Sequence, residues 1–251
     1  MISTENINKN FGKLRVLNDV SVNFAAGECI ALLGPNGCGK TTLIKSILGM
    51  VMPNKGTIRF DGTDVRKDWK YRSRIGYMPQ IGRYPENMTI AHVIDMMKDI
   101  RKSTNSETDE ELIKAFDLAK ILDKKMSTLS GGTTQKVSAC LAFMFNPDVL
   151  ILDEPTAGLD PLSSEKLKQK IIKEKQKGKL VLITSHILSE LDDLITEVVY
   201  MQEGKVLFHK PMEVLHEETG EQRLIRAIAS IMKDQQLVSI PPIKKKYKST
   251  V

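Results

Sequence analysis

The sequence has no apolar run of membrane-spanning length and contains few cysteines. A transmembrane helix needs about 20 apolar residues in succession, and no stretch of this chain approaches that length. Residues 1–5 contain neither a basic segment nor an apolar core, so we expect no signal peptide. The three cysteines are far apart and do not have the spacing of metal ligands, which favours free thiols in a reducing compartment. They are Cys29, Cys38 and Cys140.

The composition is that of an ordinary globular protein. The chain has 251 residues, of which 41% are hydrophobic and 27% charged, and its formal net charge is +6. This length suits one large domain or two small ones. Four lysines fall within residues 244–248, so part of the positive charge is local. We expect residues 239–251 to form a solvated, disordered basic tail rather than a membrane or nucleic-acid surface, and we expect no nucleic acid among the partners.

The most informative stretch is the glycine-rich segment 34–42. It matches the phosphate-binding pattern G-x-x-x-x-G-K-[ST], and it lies between an apolar run at 29–33 and a helical pattern at 42–49. Backbone N–H groups and the helix N-terminus can surround a phosphate there. Lys40 can reach the β- and γ-phosphates, and the Thr41 hydroxyl can bind Mg²⁺. The expected nucleotide-binding residues of this loop are Gly34, Asn36, Gly37, Cys38, Gly39, Lys40, Thr41 and Thr42.

A second candidate element is the apolar run 149–152, which is followed by two carboxylates. Asp153 emerges at the strand end and can hold Mg²⁺ through water, while Glu154 can orient an attacking water. Hydrolysis of a phosphoanhydride requires both functions. A mobile acidic loop is the alternative interpretation, and the phosphate loop upstream favours the catalytic one.

Two further segments carry a weaker signal. Residues 129–136 form a second glycine turn that opens a helix, whose N-terminus could receive an anion. A plain helix start with Ser130 as the N-cap explains the same residues equally well. His186 follows the apolar run 180–184, where ligands of open α/β sheets bind.

The hydrophobic periodicity predicts an α/β fold. Strand patterns occupy residues 2–9, 17–24, 29–33, 56–62, 75–80, 149–153, 180–184, 198–201 and 205–208. Helical patterns occupy residues 42–49, 90–100, 107–120, 134–145, 161–178, 211–216 and 221–233. In the helix at 107–120 we expect an ion pair between Glu110 and Lys114.

We predict a single domain over residues 1–238. Its catalytic core comprises residues 1–80 and 147–216, with a mostly helical subdomain at 81–146 and C-terminal helices at 217–238.

Taken in order, these motifs resemble those of the ATP-binding subunit of an ABC transporter. The resemblance covers residues 2–216. It rests on Phe11 (the adenine-stacking aromatic), 34–42 (Walker A), Gln80 (Q-loop), 129–132 (signature), 150–154 (Walker B), 157–160 (D-loop) and His186 (switch histidine). It implies a P-loop NTPase fold with a mostly parallel core sheet, an antiparallel β subdomain and an inserted helical subdomain.

The resemblance also implies roles for individual residues. Those implied in catalysis are Glu154, Gln80 and His186. Those implied in binding Mg²⁺ are Thr41, Gln80 and Asp153. Those implied in contacting nucleotide, besides the phosphate loop, are Phe11, Ser130, Gly131, Gly132 and Asp160. From its position alone, Asp160 is also a good N-cap for the helix that starts at Pro161.

Family members of this kind bind ATP and Mg²⁺ and work in pairs. The resemblance implies a head-to-tail homodimer or pseudo-dimer that hydrolyses ATP for a separate transmembrane permease at the cytoplasmic face of the membrane. One position departs from the family pattern, because Thr133 replaces the usual glutamine. We expect activity to survive this change, because Ser130 and Gly132 are retained.

Within the family, the chain resembles ATPases of ABC-2-type transporters, and among these the subunit of the copper-processing transporter for nitrous oxide reductase maturation. Two alternatives remain. A soluble ABC ATPase of translation or DNA repair normally has tandem cassettes or a long coiled-coil insertion, and this sequence has neither. A nucleotide-binding regulatory module without turnover would not need Glu154 or His186.

Overall fold

The computed structural model describes residues 1–101, 108–185 and 192–238. The strands are β1 (Ile2–Phe11), β2 (Leu14–Phe24), β3 (Cys29–Leu33), β4 (Lys55–Phe60), β5 (Thr63–Asp64), β6 (Ile75–Met78), β7 (Val149–Asp153), β8 (Leu180–Thr184), β9 (Glu197–Gln202) and β10 (Lys205–Pro211). The α-helices are α1 (Lys40–Ile47), α2 (Ile90–Ile100), α3 (Glu111–Ala115), α4 (Gly131–Phe143), α5 (Pro161–Gln176), α6 (Met212–Thr219) and α7 (Leu224–Val238). None of the described helices is long and apolar enough to cross a bilayer.

The core of the protein is a six-stranded sheet in the order β10-β9-β3-β8-β7-β6. Its strands are parallel except for β10, which forms an antiparallel hairpin with β9. Alternate residues of β3 pack into different apolar clusters, with Ala31 in one and Ile30 in the other. Both faces of the sheet are therefore covered, which explains why its central strands are continuous apolar runs. The predicted, mostly parallel core sheet is confirmed.

The second sheet is antiparallel, with the order β2-β1-β4-β5. Its inner side chains share an apolar cluster with β3 and α1, in which Phe24, Ile30 and Leu43 are fully buried. The backbone N–H of Asn18 donates to the Gly204 carbonyl at 2.8 Å and joins β2 to the β9–β10 hairpin. The predicted antiparallel β subdomain is thus confirmed, and it packs directly beside the strand that leads into the phosphate loop.

The region between β6 and β7 is mainly helical, but one predicted helix was wrong. The pattern over 107–120 produces only the short helix α3, followed by a 3₁₀ turn at Leu118–Ile121. Asp117 between them has a φ of +56°, a left-handed conformation that cannot continue an α-helix. The expected Glu110–Lys114 ion pair is also absent from the described contacts, because Glu110 pairs with Lys98 on α2 at 3.3 Å. The subdomain boundaries remain a prediction.

A buried ion network joins α3 to α5. The Lys170 side chain is 2% exposed, and its ammonium group lies 2.5 Å from Asp109, 2.9 Å from Glu111 and 3.0 Å from Glu174. The Glu174 carboxylate is also 2% exposed and pairs further with Lys177 at 2.7 Å. Since each buried charge has partners of opposite sign, the network holds the start of α3 against α5.

The charge state of Glu174 reflects these contacts. Burial alone would raise the pKa of this carboxyl group, but hydrogen bonds from Lys177, Lys179 and Lys170 outweigh burial and lower the pKa from 4.5 to about 2. A carboxyl group whose pKa is lower in the folded than in the unfolded chain stabilises the fold at pH values above its unfolded pKa. This contribution is therefore present above pH 4.5 and is lost as the pH falls toward 2.

We expect Glu174→Gln to lower the free energy of unfolding by up to roughly 3–5 kcal/mol near neutral pH, because Lys179 loses its carboxylate partner and Lys170 loses one of its three. Urea unfolding followed by circular dichroism measures the change. Lys173→Gln is the matched control: this lysine, on the same helix, is 57% exposed and pairs with a half-exposed carboxylate, so a loss within about 1 kcal/mol is expected. Equal losses in the two variants would contradict the prediction, as would a Glu174→Gln deficit that does not shrink in acid.

Candidate functional site

An open cleft of about 510 Å³ lies at the edge of the core sheet where β3, β6 and β7 end. In parallel α/β sheets, ligands bind at this edge. The cleft brings together segments that are far apart in the sequence, namely the phosphate loop, Gln80 and the two carboxylates. Its lining residues are Leu14, Val16, Asn36, Gly37, Gly39, Lys40, Thr41, Thr42, Gln80, Asp153 and Glu154.

The phosphate loop depends on glycine at two close contacts. Gly34 has a φ of +143°, and a Cβ there would lie 2.0 Å from the Met201 carbonyl oxygen. Gly39 has a φ of +109°, and its Cβ would meet the Val16 carbonyl oxygen at 2.8 Å. As the N-cap of α1, Gly39 provides no side-chain cap, so the first N–H groups of this helix are not used by a capping side chain. A helix N-terminus of this kind fits an anionic phosphate group.

Lys40 is held within this loop. Its ammonium group donates to the Gly34 carbonyl at 2.7 Å and to the Pro35 carbonyl at 3.1 Å. Cys38, which we predicted among the nucleotide-binding residues, is 3% exposed and belongs to the apolar cluster beneath the loop. Its backbone N–H donates to the Pro35 carbonyl at 3.3 Å. Cys38 thus shapes the loop from below and, like Gly34, does not line the cleft.

The two carboxylate residues are fixed by the neighbouring strand. Asp153 ends β7 directly opposite Thr184, which ends β8, and the Thr184 hydroxyl donates to the Asp153 carboxylate at 2.5 Å. The Glu154 N–H donates to both the carbonyl and the hydroxyl oxygen of Thr184, each at 3.1 Å. Glu154 has a φ of +52°, which turns the chain sharply away from the strand. Our reading of the sequence assigned no role to Thr184; the only signal was a polar residue ending an apolar run.

The donors in the cleft fit Mg²⁺. This ion prefers oxygen ligands, and the side chains of Thr41, Gln80 and Asp153 all supply oxygen to the same cleft. Asp153 is 6% exposed, so a nearby cation would compensate a largely buried charge. The Asp153 charge also affects Tyr77 on β6. Burial of this side chain, together with the negative charge of Asp153, raises the pKa of the phenol to about 12.

The aromatic residue predicted to stack on adenine lies at the end of β1. Phe11 is 50% exposed and pairs with Leu14 across the β1–β2 turn. The Lys9 ammonium lies 4.9 Å from the centroid of its ring. Leu14 and Val16 line the cleft, whereas Phe11 does not. The hairpin therefore provides an apolar flank to the phosphate loop, and the stacking role of Phe11 remains a prediction.

The glycine turn at the start of α4 lies outside the cleft. Ser130 is the N-cap of this helix, and its hydroxyl accepts from the Thr133 N–H at 3.2 Å. The hydroxyl groups of Ser130 and Thr133 are 2.9 Å apart and hydrogen-bonded. Ser130 and Gly131 are exposed. The capping interpretation is thus confirmed, while the backbone of the glycine turn is still presented at the surface.

Contacts behind this turn connect α4 to the loop of the same chain that runs from Glu154 to Asp160. The buried Gln135 amide donates to the Glu154 carbonyl at 3.4 Å, and the Lys136 ammonium lies 2.7 Å from the Asp160 carboxylate. Asp160 also caps α5 by accepting from the Ser163 N–H at 2.9 Å. The hydrogen bond from Lys136 is the main cause of the lowered pKa of Asp160. His186, the predicted switch histidine, and the tail at 239–251 lie outside the described residues.

Comparison with known proteins agrees with this geometry. Residues 17–157 match the ABC transporter family model. The chain is 32% identical to the lipopolysaccharide export system ATP-binding protein LptB of Haemophilus influenzae, with 87% of this chain and 94% of LptB covered. It is 33% identical to a Nod factor export ATP-binding protein of Burkholderia lata, with 87% and 74% covered. A solved ATP-binding subunit of an ABC transporter superposes with a TM-score of 0.85 at 26% identity, with 92% of this chain and 99% of that chain covered.

The family match includes the phosphate loop, Gln80 and both carboxylates of the cleft, and the superposed subunit covers 92% of this chain, so the predicted P-loop NTPase fold and the family resemblance are confirmed. Proteins of this family bind ATP with Mg²⁺ and hydrolyse it to power transport. The chain belongs to the ABC transporter ATP-binding family.

Proposed function

We propose that two copies of this chain close head to tail on two ATP molecules and drive a separate membrane permease. The observation that carries the proposal is the position of the glycine turn at 130–132. It is a second helix N-terminus suited to an anion, and it lies outside the cleft of its own chain. In a two-fold dimer, the turn of each copy would cover the cleft of the other, since the same pair of surfaces is used twice.

The residues of the closed site would have distinct roles. Those proposed for phosphate and nucleotide binding are Asn36, Gly37, Gly39, Lys40, Thr41 and Thr42 with Gly34 and Cys38 shaping the loop, Phe11 at the adenine, and Ser130, Gly131 and Gly132 from the other copy. Those proposed to hold Mg²⁺ are Thr41, Gln80 and Asp153. Those proposed to act in hydrolysis are Glu154, Gln80 and His186, with Asp160 at the contact between copies.

In the closed site, hydrolysis would depend on charged and polar groups that face the phosphates and the attacking water. Lys40 and the N–H groups of the loop stabilise the negative charge that develops on the transferred phosphoryl group. The Glu154 carboxylate orients the attacking water and accepts its proton. Closure of the second copy excludes other water, which strengthens each of these interactions. The divalent cation, when bound, neutralises charge on the phosphate oxygens.

Mixing two inactive variants tests the composite site. Lys40→Ala damages the cleft, and Ser130→Arg places bulk where the glycine turn must meet the nucleotide of the other copy. In a mixed dimer, one site combines the intact cleft of the Ser130→Arg chain with the intact turn of the Lys40→Ala chain. We therefore expect steady-state ATPase activity in the mixture but not in either variant alone.

The control mixture combines Lys40→Ala with Glu154→Gln. Both substitutions lie in the cleft, so each site of the mixed dimer contains one damaged cleft, and the mixture should stay inactive. If each chain instead completed its own site, neither mixture would recover activity. An inactive Lys40→Ala and Ser130→Arg mixture would therefore contradict the head-to-tail arrangement.

Exposed apolar side chains, one of which directly follows Gln80, are the proposed contact with the permease. Gln80 lines the cleft, and the following residue, Ile81, is 70% exposed. Trp69 and Ile100 are 70% and 67% exposed. Arg101, which follows Ile100, donates at 2.5 Å to a backbone carbonyl in the turn after Trp69, so the two apolar side chains belong to neighbouring segments. Exposed apolar groups of this kind favour a protein partner, and Gln80 would connect it to the nucleotide.

We also propose that the chain works at the cytoplasmic face of a membrane, and we infer the direction of transport and the cargo from its relatives. LptB and the Nod factor protein are named for export, which supports an exporter. A copper-processing transporter for nitrous oxide reductase maturation is the finer hypothesis. The resemblance to ABC-2-type ATPases rests on the segment at 130–136, on Asp160-Pro161 and on the short C-terminal extension, and the copper-processing hypothesis rests on general sequence similarity rather than on a motif that contacts the cargo. Isolation of the chain from membranes with its permease, and sequencing of that permease, decides the cargo class. Recovery with ribosomes or DNA instead would favour the soluble alternative.

A further inference from the structure

Thr184 contacts both carboxylate residues of the cleft. Its side chain is 1% exposed, its hydroxyl donates to Oδ1 of Asp153, and the same oxygen accepts from the N–H of Glu154. A hydroxyl group has one proton to donate and two lone pairs to accept with, so these two bonds are compatible and have fixed directions. One small buried group therefore lies between the proposed metal ligand and the proposed general base.

The two contacts constrain their partners in different ways. With Oδ1 of Asp153 engaged, Oδ2 accepts no hydrogen bond from the described residues and is the oxygen left for a cation. The Glu154 backbone is in the left-handed region, which residues other than glycine rarely adopt. Its N–H is held by two oxygens of Thr184, and this φ decides where the carboxylate side chain leaves the chain.

We propose that Thr184 is a positioning residue for ATP hydrolysis, whose hydroxyl orients Asp153 toward Mg²⁺ and holds the backbone of Glu154 in its catalytic conformation. The inference rests on the functions proposed above for Asp153 and Glu154. Residues that hydrogen-bond a metal ligand commonly change metal affinity or activity about 10- to 100-fold when they are replaced. The competing explanation is that Thr184 merely satisfies a polar strand end in the core.

The structure offers a matched control for that explanation. Thr196 precedes β9 and lies at the amino-terminal end of the same sheet, opposite to the cleft. Its hydroxyl donates to the carbonyl of Cys29, the first residue of β3, at 3.1 Å and accepts from the Cys29 N–H at 2.9 Å. Thr196 therefore bonds a neighbouring strand as Thr184 does, but among the described residues its hydroxyl contacts no carboxylate, and it does not line the cleft. Thr196→Val should lower stability without a change in Mg²⁺ dependence.

The test compares Thr184→Val, which removes the hydroxyl at constant shape, with Thr184→Ser, which keeps it. For Thr184→Val we expect kcat to fall roughly 10- to 100-fold and the Mg²⁺ concentration for half-maximal activity to rise by a similar factor. The KM for ATP and the thermal midpoint should stay close to those of Thr196→Val. Mn²⁺ affinity in the presence of ADP, measured by electron paramagnetic resonance without turnover, should fall in Thr184→Val and recover in Thr184→Ser.

Wild-type kcat and metal affinity in Thr184→Val, together with a stability loss equal to that of Thr196→Val, would overturn the inference. Glu154→Gln, measured in parallel, separates this failure from that of the proposed function. If Glu154→Gln turns over normally, the assigned general base is wrong whatever Thr184 does. If Glu154→Gln is inactive while Thr184→Val is normal, the result contradicts only the positioning role of Thr184.

Discussion

Glu154→Gln should bind ATP but hydrolyse it at least ~100-fold more slowly than the wild type, the effect expected when a general base is lost. The amide keeps the size of the side chain and cannot accept the proton of the attacking water. Because hydrolysis would no longer reopen the pair, ATP and Mg²⁺ should convert the variant into a dimer on size-exclusion chromatography.

Glu203→Gln is the control for this experiment. Glu203 lies in the turn between β9 and β10, it is exposed, and its φ of +48° resembles that of Glu154. It takes no part in the cleft, so its rate should match the wild type. Near-normal turnover of Glu154→Gln with only monomer in the presence of ATP would show that this carboxylate is not the catalytic base.

Lys40→Ala should weaken ATP binding by about 2 kcal/mol or more, which corresponds to roughly 30-fold in Kd. The β- and γ-phosphates lose their cation, and the Gly34 and Pro35 carbonyls lose the donor that links them. Titration calorimetry with ATP and Mg²⁺ measures the change.

Lys45→Ala, in the last turn of the same helix, is the comparison, because that lysine is exposed and lies outside the cleft. Its ATP affinity should stay within about threefold of the wild type, since removal of a distant, exposed charge has a small effect. Equal ATP affinities of the Lys40 and Lys45 variants would show that Lys40 does not bind the phosphates.

Much of the fold could be predicted because its central strands are marked by local patterns. The bounds of β3, β7 and β8 agree with the apolar runs, since a strand covered on both faces needs no polar residue until it ends. The carboxyl ends of parallel strands meet at one side of the sheet, and the sequence placed the phosphate loop, Gln80 and Asp153 at the carboxyl ends of three such strands. Their meeting in one cleft followed from these two facts.

The features that were missed depend on contacts between distant segments. No local pattern shows that Thr184 pairs in register with Asp153, because register is set between two strands whose paired residues are 31 positions apart in the chain. The pairing of Glu110 with Lys98 and the burial of Lys170 likewise depend on how helices pack. The early end of α3 depends on one backbone conformation, at Asp117, that composition does not reveal.

The contacts behind the glycine turn have a consequence for the order of events in a dimer. Gln135 and Lys136 tie α4 to the loop that carries Glu154 and Asp160 in the same chain. In the proposed pair, α4 touches one nucleotide while this loop serves the other. A change in the phosphate at one site would therefore reach, through α4 and these two contacts, the loop that carries the proposed general base of the other site. Such a linkage is reciprocal for binding, so ATP bound at one site should change the ATP affinity of the other site by the same factor in both directions.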